Sequence, residues 1–272
     1  MPDHVAVHVR NARPTSRPDA WWLQPAATAG GLLLLFGYLT FRAFHPVHVW
    51  WEPYISPAVA PPVFTAADGP PGSVPVDHAW FGAFPSWWPA FIPQSPAFVL
   101  PWLAIVFRVT CYYYRGAYYK AAFLTPPTCA VRGLSRRYRG ETAILLFQNL
   151  HRYALYAGLF LLVALWWEAL AAFFRHGRFG VGVGTAVMIV NATLLSSWTL
   201  GCHSWRHLVA GRRDCFSCGR GTSPRYQVWR GSSWLNERHM LFAWCSLVWV
   251  ALTDVYVYLV SSETIKDWNT WS

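Results

Sequence analysis

The chain of 272 residues is 54% hydrophobic and 18% aromatic, and only 12% of it is charged. Soluble domains carry about 25% charged residues, so this composition excludes an ordinary soluble globular domain and points to a bilayer. The formal charge of +10 raises the question of nucleic acid. The arginines, however, form no dense basic patch with an RNA- or DNA-binding motif, and their distribution follows the apolar segments instead.

A hydrocarbon core takes roughly 20 mostly apolar residues to cross, and the chain offers five such stretches: about 26–44, 96–114, 143–174, 181–207 and 240–261. Arg10, Arg13 and Arg17 precede the first, which ends at His45-Pro46 with no small-residue cleavage pattern, so it reads as a retained span rather than a removed signal peptide. The 45–95 loop follows, rich in Pro and Trp. Its runs Pro61-Pro62, Pro70-Pro71 and Trp87-Trp88 exclude a regular helix and suggest an ordered cap on the membrane interface, with a mere linker between spans as the other reading. The third stretch is long enough to tilt or to project beyond the bilayer.

Lys and Arg sort these segments by side. The N-terminal tail carries three, the 45–95 loop none, the 112–142 loop six, the 175–180 turn two, the 208–239 loop six and the stretch after 261 one. The positive-inside rule then puts the N-terminus and both basic loops in the cytoplasm and the C-terminus outside. The predicted fold class is an all-α integral membrane protein, a bundle of five transmembrane helices. Residues 1–25 form a cytoplasmic tail, 26–261 the membrane domain and 262–272 an external tail. No soluble segment is large enough for a core of its own, which implies soluble partners.

Charges inside or beside the spans are Arg42, Arg108, Arg152, Glu168 and Asp254. Such groups are costly in a membrane and face the bundle interior or a polar pathway. Arg108 and Arg152 lie toward the cytoplasmic side, where they either snorkel to lipid headgroups or place positive charge beside a quinone oxygen or an electron-rich cluster.

The predicted topology puts five of the six cysteines on one side of the membrane, with four of the ten histidines near them at the span ends. Cys202, His203, His207, Cys215 and Cys218 crowd the end of the fourth stretch, while Cys111, Cys129, His151 and His239 lie at matching ends of the others. His203 and His207 are four residues apart, so on a continuous helix they share a face with Ser196 and Leu200. The C-x2-C at Cys215 and Cys218 lets two thiolates approach one metal, and a reducing cytoplasmic setting predicts that both stay free of disulfides. Mixed His and Cys donors suit zinc or a Rieske-type [2Fe–2S] centre; paired imidazoles on facing helices, with His151 opposite His203 or His207, suit a b-type haem. A redox centre has a reason to sit beside a membrane that structural zinc lacks, since quinones dissolve in the bilayer. The run Cys111-Tyr112-Tyr113-Tyr114-Arg115-Gly116-Ala117-Tyr118-Tyr119-Lys120 is either an interfacial aromatic belt or a quinone mouth, where a Tyr hydroxyl and a cation hydrogen-bond a carbonyl as it gains charge.

The stretches CYYYRGAYYKAAF, PPTCAV, GETAILLFQNLHRYALYAG, GCHSWRHLVAGRRDCFSC and LNERHM with ALTDVYVYL together resemble the membrane-anchor subunit of actinobacterial succinate dehydrogenase, in the haem-free type F class typified by the mycobacterial enzyme. The likeness runs from about residue 97 to 265. It implies a five-helix anchor in the inner (plasma) membrane that holds a flavoprotein and an iron–sulfur subunit on its cytoplasmic face. It further implies a Rieske-type [2Fe–2S] cluster with two His and two Cys ligands, relaying electrons to a quinone, expected to be menaquinone. The matching motifs carry the ligand role to Cys202, His203, His207, Cys111, Cys129, Cys215 and Cys218, with His151 and His239 also open. Quinone binding falls near Arg115, Tyr118 and His151. The other readings are a haem-b-type quinone reductase anchor, and a non-redox membrane protein with structural zinc in the 202–218 hairpin. No catalytic acid, base or nucleophile for dicarboxylate chemistry is evident on this chain.

Overall fold

The computed structural model describes residue 20 and residues 22–118, 144–210, 215 and 224–271. Four of its helices are long and apolar enough to cross a membrane: α1 (Leu23–Phe44), α4 (Ile144–Ala171, with its apolar stretch from Leu150), α5 (Val183–Leu200) and α8 (His239–Ser261). Helix α5 packs against both α4 and α8, and α1 leans on α8 at the edge. Only 11% of α1's apolar stretch is buried inside the protein, against 39% for each of the other three. Leu33, Leu34 and Phe41 of α1 point outward, as lipid-facing residues do.

Where the sequence predicts one helix over 96–114, the chain makes two short ones. A single 3₁₀ turn, Pro96–Phe98, leads into α2 (Trp102–Thr110), and α3 (Tyr112–Tyr118) follows after a break at Cys111. Cys111 adopts extended backbone, φ −64° and ψ 133°. The Thr110 hydroxyl bonds back to the Val106 carbonyl at 2.8 Å, a side-chain bond that competes with the helical ladder. Helix α2 lies against α4, and the absent side chain of Gly158 permits the approach: a Cβ there would stand 2.9 Å from the Phe107 ring.

The predicted fourth span also breaks. Helix α5 ends at Leu200, Gly201 caps it, and α6 (His203–Ala210) starts a new direction. A Cβ on Gly201 would meet the Ser197 carbonyl at 2.9 Å and the Leu235 backbone at 3.1 Å, so the turn is shaped for glycine. Asn236 Nδ2 donates to the Gly201 carbonyl at 2.7 Å, which ties the turn to α7 (Pro224–Glu237). His203 and His207 therefore share a face of α6 and do not continue the Ser196–Leu200 stripe of α5.

The opposite end of the bundle carries the cap. Trp50–Trp51 (β1) pairs antiparallel with Tyr54–Ile55 (β2), and Val49, Tyr54, Ile55, Val59 and Val74 are fully buried. The 45–95 segment is thus part of the core, not a linker. Tyr54 donates to Asp267 at 2.8 Å, which brings the C-terminal stretch to the same end. A two-residue hairpin joins β3 (Phe174–Arg175) to β4 (Arg178–Phe179); His176 (φ 48°) and Gly177 (φ 74°) both take the left-handed conformation that such a turn demands. Under the cap, Asp254 of α8 is fully buried and accepts from Arg42 Nε at 2.7 Å, from Tyr38 and from Ser56. Glu168 of α4, also buried, has His78 of the cap 3.4 Å away.

Polar bonds between helices supplement packing where lipid supplies no hydrophobic drive. Trp166 Nε1 donates to Ser196 Oγ at 2.9 Å across α4 and α5, and Trp249 Nε1 donates to the Val187 carbonyl at 3.0 Å across α8 and α5.

Candidate metal centre

Four elements deliver one sulfur or imidazole each to a common place at the end away from the cap. Cys111 comes from the α2–α3 break, His151 from the first turns of the apolar part of α4, Cys202 from the α5–α6 turn and His239 from the first residue of α8. Cys111, Cys202 and His151 are buried and His239 is half-buried. The Nε2 of His151 is 2.9 Å from Cys202 Sγ, and the Nε2 of His239 is 3.4 Å from Cys111 Sγ. Both cysteines belong to one buried cluster with Phe107, Tyr114 and Trp198; Phe107 stacks on His151 and Trp198 on His239.

The local sequence explains each placement. The helix break turns Cys111 inward, and the Gly201 turn does the same for Cys202. Phe107 lies flat on the His151 ring, centroids 4.8 Å apart and planes 4° from parallel, and so locks its orientation. Thr110 Oγ1, whose own proton goes to the Val106 carbonyl, accepts from His151 Nδ1 at 2.9 Å. With the ring proton held on Nδ1, the Nε2 lone pair faces the Cys202 sulfur. This is the outer-shell arrangement that orients metal-ligating histidines. On the other pair, His239 Nδ1 is buried with no hydrogen-bond partner among the described residues.

Among the described residues, no three His, Cys, Asp or Glu side chains gather closely enough to hold one metal ion. What the fold brings together is two Cys–His contacts, His151 with Cys202 and His239 with Cys111. Two thiols and two imidazoles are the donor types that a Rieske-type [2Fe–2S] centre takes, so in donor chemistry these residues fit that group.

Arg108 completes the surroundings. It is 5% exposed and does not reach lipid headgroups, whereas Arg152 is exposed. Its NH1 donates to the Tyr114 hydroxyl at 2.6 Å and its NH2 to Ser246 Oγ at 3.1 Å. The guanidinium carbon lies 4.2 Å from the centroid of the Trp198 ring, and that indole Nε1 is buried without an acceptor among the described residues.

Other candidates from the sequence fall elsewhere. His203 and His207 face each other on α6, Nε2 to Nε2 at 3.0 Å, both exposed and outside the four-residue set. Cys215 is disulfide-bonded, contrary to the expectation of free thiols. Cys129, Cys218 and the side chains of Arg115 and Tyr118 lie outside the described residues. His239 gains a place because α8 begins there. Its one sequence signal was its position at the matching end of a span.

The sequence model of the family described as actinobacterial succinate dehydrogenase subunit SdhC matches residues 23–263. A chain of the solved structure titled Mycobacterium smegmatis Sdh1 complex in the apo form shares 38% identity with this chain; the alignment covers 97% of each, with a TM-score of 0.82. No curated protein matches at a significant level. With a membrane-spanning helical bundle, a family match over most of its length and a solved relative of the same fold, the chain belongs to the SdhC family and is a multi-pass membrane subunit of actinobacterial succinate dehydrogenase.

Proposed function

We propose that this subunit anchors the soluble flavoprotein and iron–sulfur subunits and relays their electrons to membrane quinone, with a Rieske-type [2Fe–2S] centre held by Cys111, Cys202, His151 and His239. The observation that carries this reading is the pairing of His151 with Cys202 and of Cys111 with His239, four buried or half-buried donors from four elements. When bound, such a centre supplies one-electron redox chemistry, its potential raised by imidazole replacing thiolate. The chain's own residues hold it, exclude water and fix the imidazoles. Phe107 and Trp198 wall the site with aromatic surface, and their rings are 4.8 Å apart; Thr110 holds the His151 proton on the far nitrogen.

The same reading makes α2 and α3 together the fifth crossing, broken where Cys111 enters the bundle. It also puts the centre on the cytoplasmic side, with the N-terminus, and the cap and C-terminus outside. The basic 112–142 and 208–239 segments dock the iron–sulfur subunit. Quinone, expected to be menaquinone, binds near Arg115, Tyr118 and His151.

The test is a low-temperature EPR and visible spectrum of the purified complex after dithionite reduction. An average g value below that of all-cysteine clusters is the expected result. Sharp haem absorption bands would establish the b-type anchor instead. Stoichiometric zinc with neither signal would overturn the redox reading altogether.

A further inference from the structure

Arg108 is a positive charge buried in the membrane domain with no carboxylate against it among the described residues: its hydrogen bonds go to a phenol, a hydroxyl and a backbone carbonyl, Ala243 O at 3.4 Å. A guanidinium keeps its charge inside proteins, and an unpaired buried ion is costly. The buried ion of the opposite end, Arg42, solves the same problem with Asp254 at 2.7 Å. Beside Arg108 stand Cys111, three residues on at the cap of the same helix, and His239, whose ring stacks at 6.2 Å on the Trp198 indole that Arg108 covers. Cysteine binds metal as thiolate, so loading the site creates negative charge where Arg108 stands. We infer that Arg108 is the built-in counter-ion of the metal centre, a positioning residue that raises the centre's reduction potential by offsetting the charge of its thiolates and of each added electron.

The anchoring supports a fixed charge rather than a mobile one. Tyr114 accepts from NH1 and passes its own proton to the Ala243 carbonyl at 2.6 Å, while Ser246 holds NH2 and Trp198 covers the guanidinium face. Helix α2 supplies both Arg108, in its last turn, and Cys111, at its C-terminal cap. The charge and a thiolate donor are therefore set by the same short helix.

This inference rests on the Rieske-type reading above, and the experiment separates the two. The purified complexes carrying R108K and R108Q are titrated redox-metrically, with the EPR signal as readout and iron content as the check on assembly. R108Q is expected to assemble with its centre harder to reduce. At fixed ambient potential the oxidised-to-reduced ratio rises by about tenfold, which is about 59 mV for a one-electron couple. R108K, which keeps the charge, should stay near the parental ratio. A parental ratio in R108Q, or an equal shift in both variants, overturns the counter-ion role while leaving the cluster intact. Absence of any cluster signal in the parental complex instead defeats the underlying reading. If R108Q fails to assemble, Tyr114→Phe and Ser246→Ala, each releasing one hold on the guanidinium, decide: a shifted ratio supports the role and a parental ratio in both overturns it.

Discussion

His151 and Cys202 are 51 positions apart in the chain, yet the imidazole Nε2 and the thiol sulfur stand 2.9 Å from each other inside the protein. Thr110 takes one ring nitrogen of His151 and the Cys202 sulfur faces the other. In the proposed metal centre these two groups are ligands of one cluster.

Removing either donor is expected to remove that ligand. Cys202→Ser and His151→Gln should each yield an assembled complex that lacks the paramagnetic centre and loses quinone reduction, while succinate oxidation by a soluble dye persists. The loss should exceed the roughly 10–100-fold typical of outer-shell changes. Retained EPR signal in either variant would remove that residue from the ligand set.

Thr110→Val keeps the volume but deletes the acceptor of the His151 Nδ1 proton. The expected result is a centre that forms but is lost to a chelator about 10–100-fold faster or at correspondingly lower chelator concentration. Iron retention indistinguishable from the parent would show that Thr110 does not orient the ring.

The double variant His203→Ala, His207→Ala tests the alternative ligand pair. Both rings are exposed on α6 and bond each other, so the centre and its spectrum should survive. A vanished signal would move the metal site to α6 and discard the four-element set.

At the capped end, Asp254→Leu leaves Arg42 buried without its carboxylate and also strips Tyr38 and Ser56 of their acceptor. Such single deletions cost about 3–5 kcal/mol, whereas replacing both charges with apolar residues is near neutral. Thermal unfolding of the detergent-solubilised complex should therefore fall sharply for Asp254→Leu and recover in Arg42→Met, Asp254→Leu. Equal losses in the single and double variants would argue against charge burial as the cause.

Much of this was legible in the sequence, for identifiable reasons. Hydropathy finds α1, α4, α5 and α8 because each is a continuous apolar run. The expected crowding of Cys and His at matching span ends brings Cys111, His151, Cys202 and His239 to one end of the bundle. The helix breaks at Cys111 and Gly201 were not legible, because both fall inside apolar runs where a local bond from Thr110, or close contact with Leu235, decides the backbone. Those breaks also decide which ligands meet. The H-x3-H spacing of His203 and His207 is the more conspicuous motif, yet α6 leaves both rings exposed and facing each other. His239, which looks like any interfacial histidine, is drawn in because α8 starts there. The one-sided charge of Arg108 could be read either way until its burial showed that it does not reach the lipid.

The distance in sequence between Cys111 and His239, 128 positions, has a consequence for biogenesis. Donors drawn from the α2–α3 break, α4, the α5–α6 turn and α8 come together only once the final helix has joined the bundle. On the proposed assignment, a chain still being inserted, or one that has misplaced any of these elements, presents no complete binding set to an iron carrier. Cofactor delivery would thus act as an inspection step, reading whether the membrane subunit has finished folding before the respiratory complex is put to use.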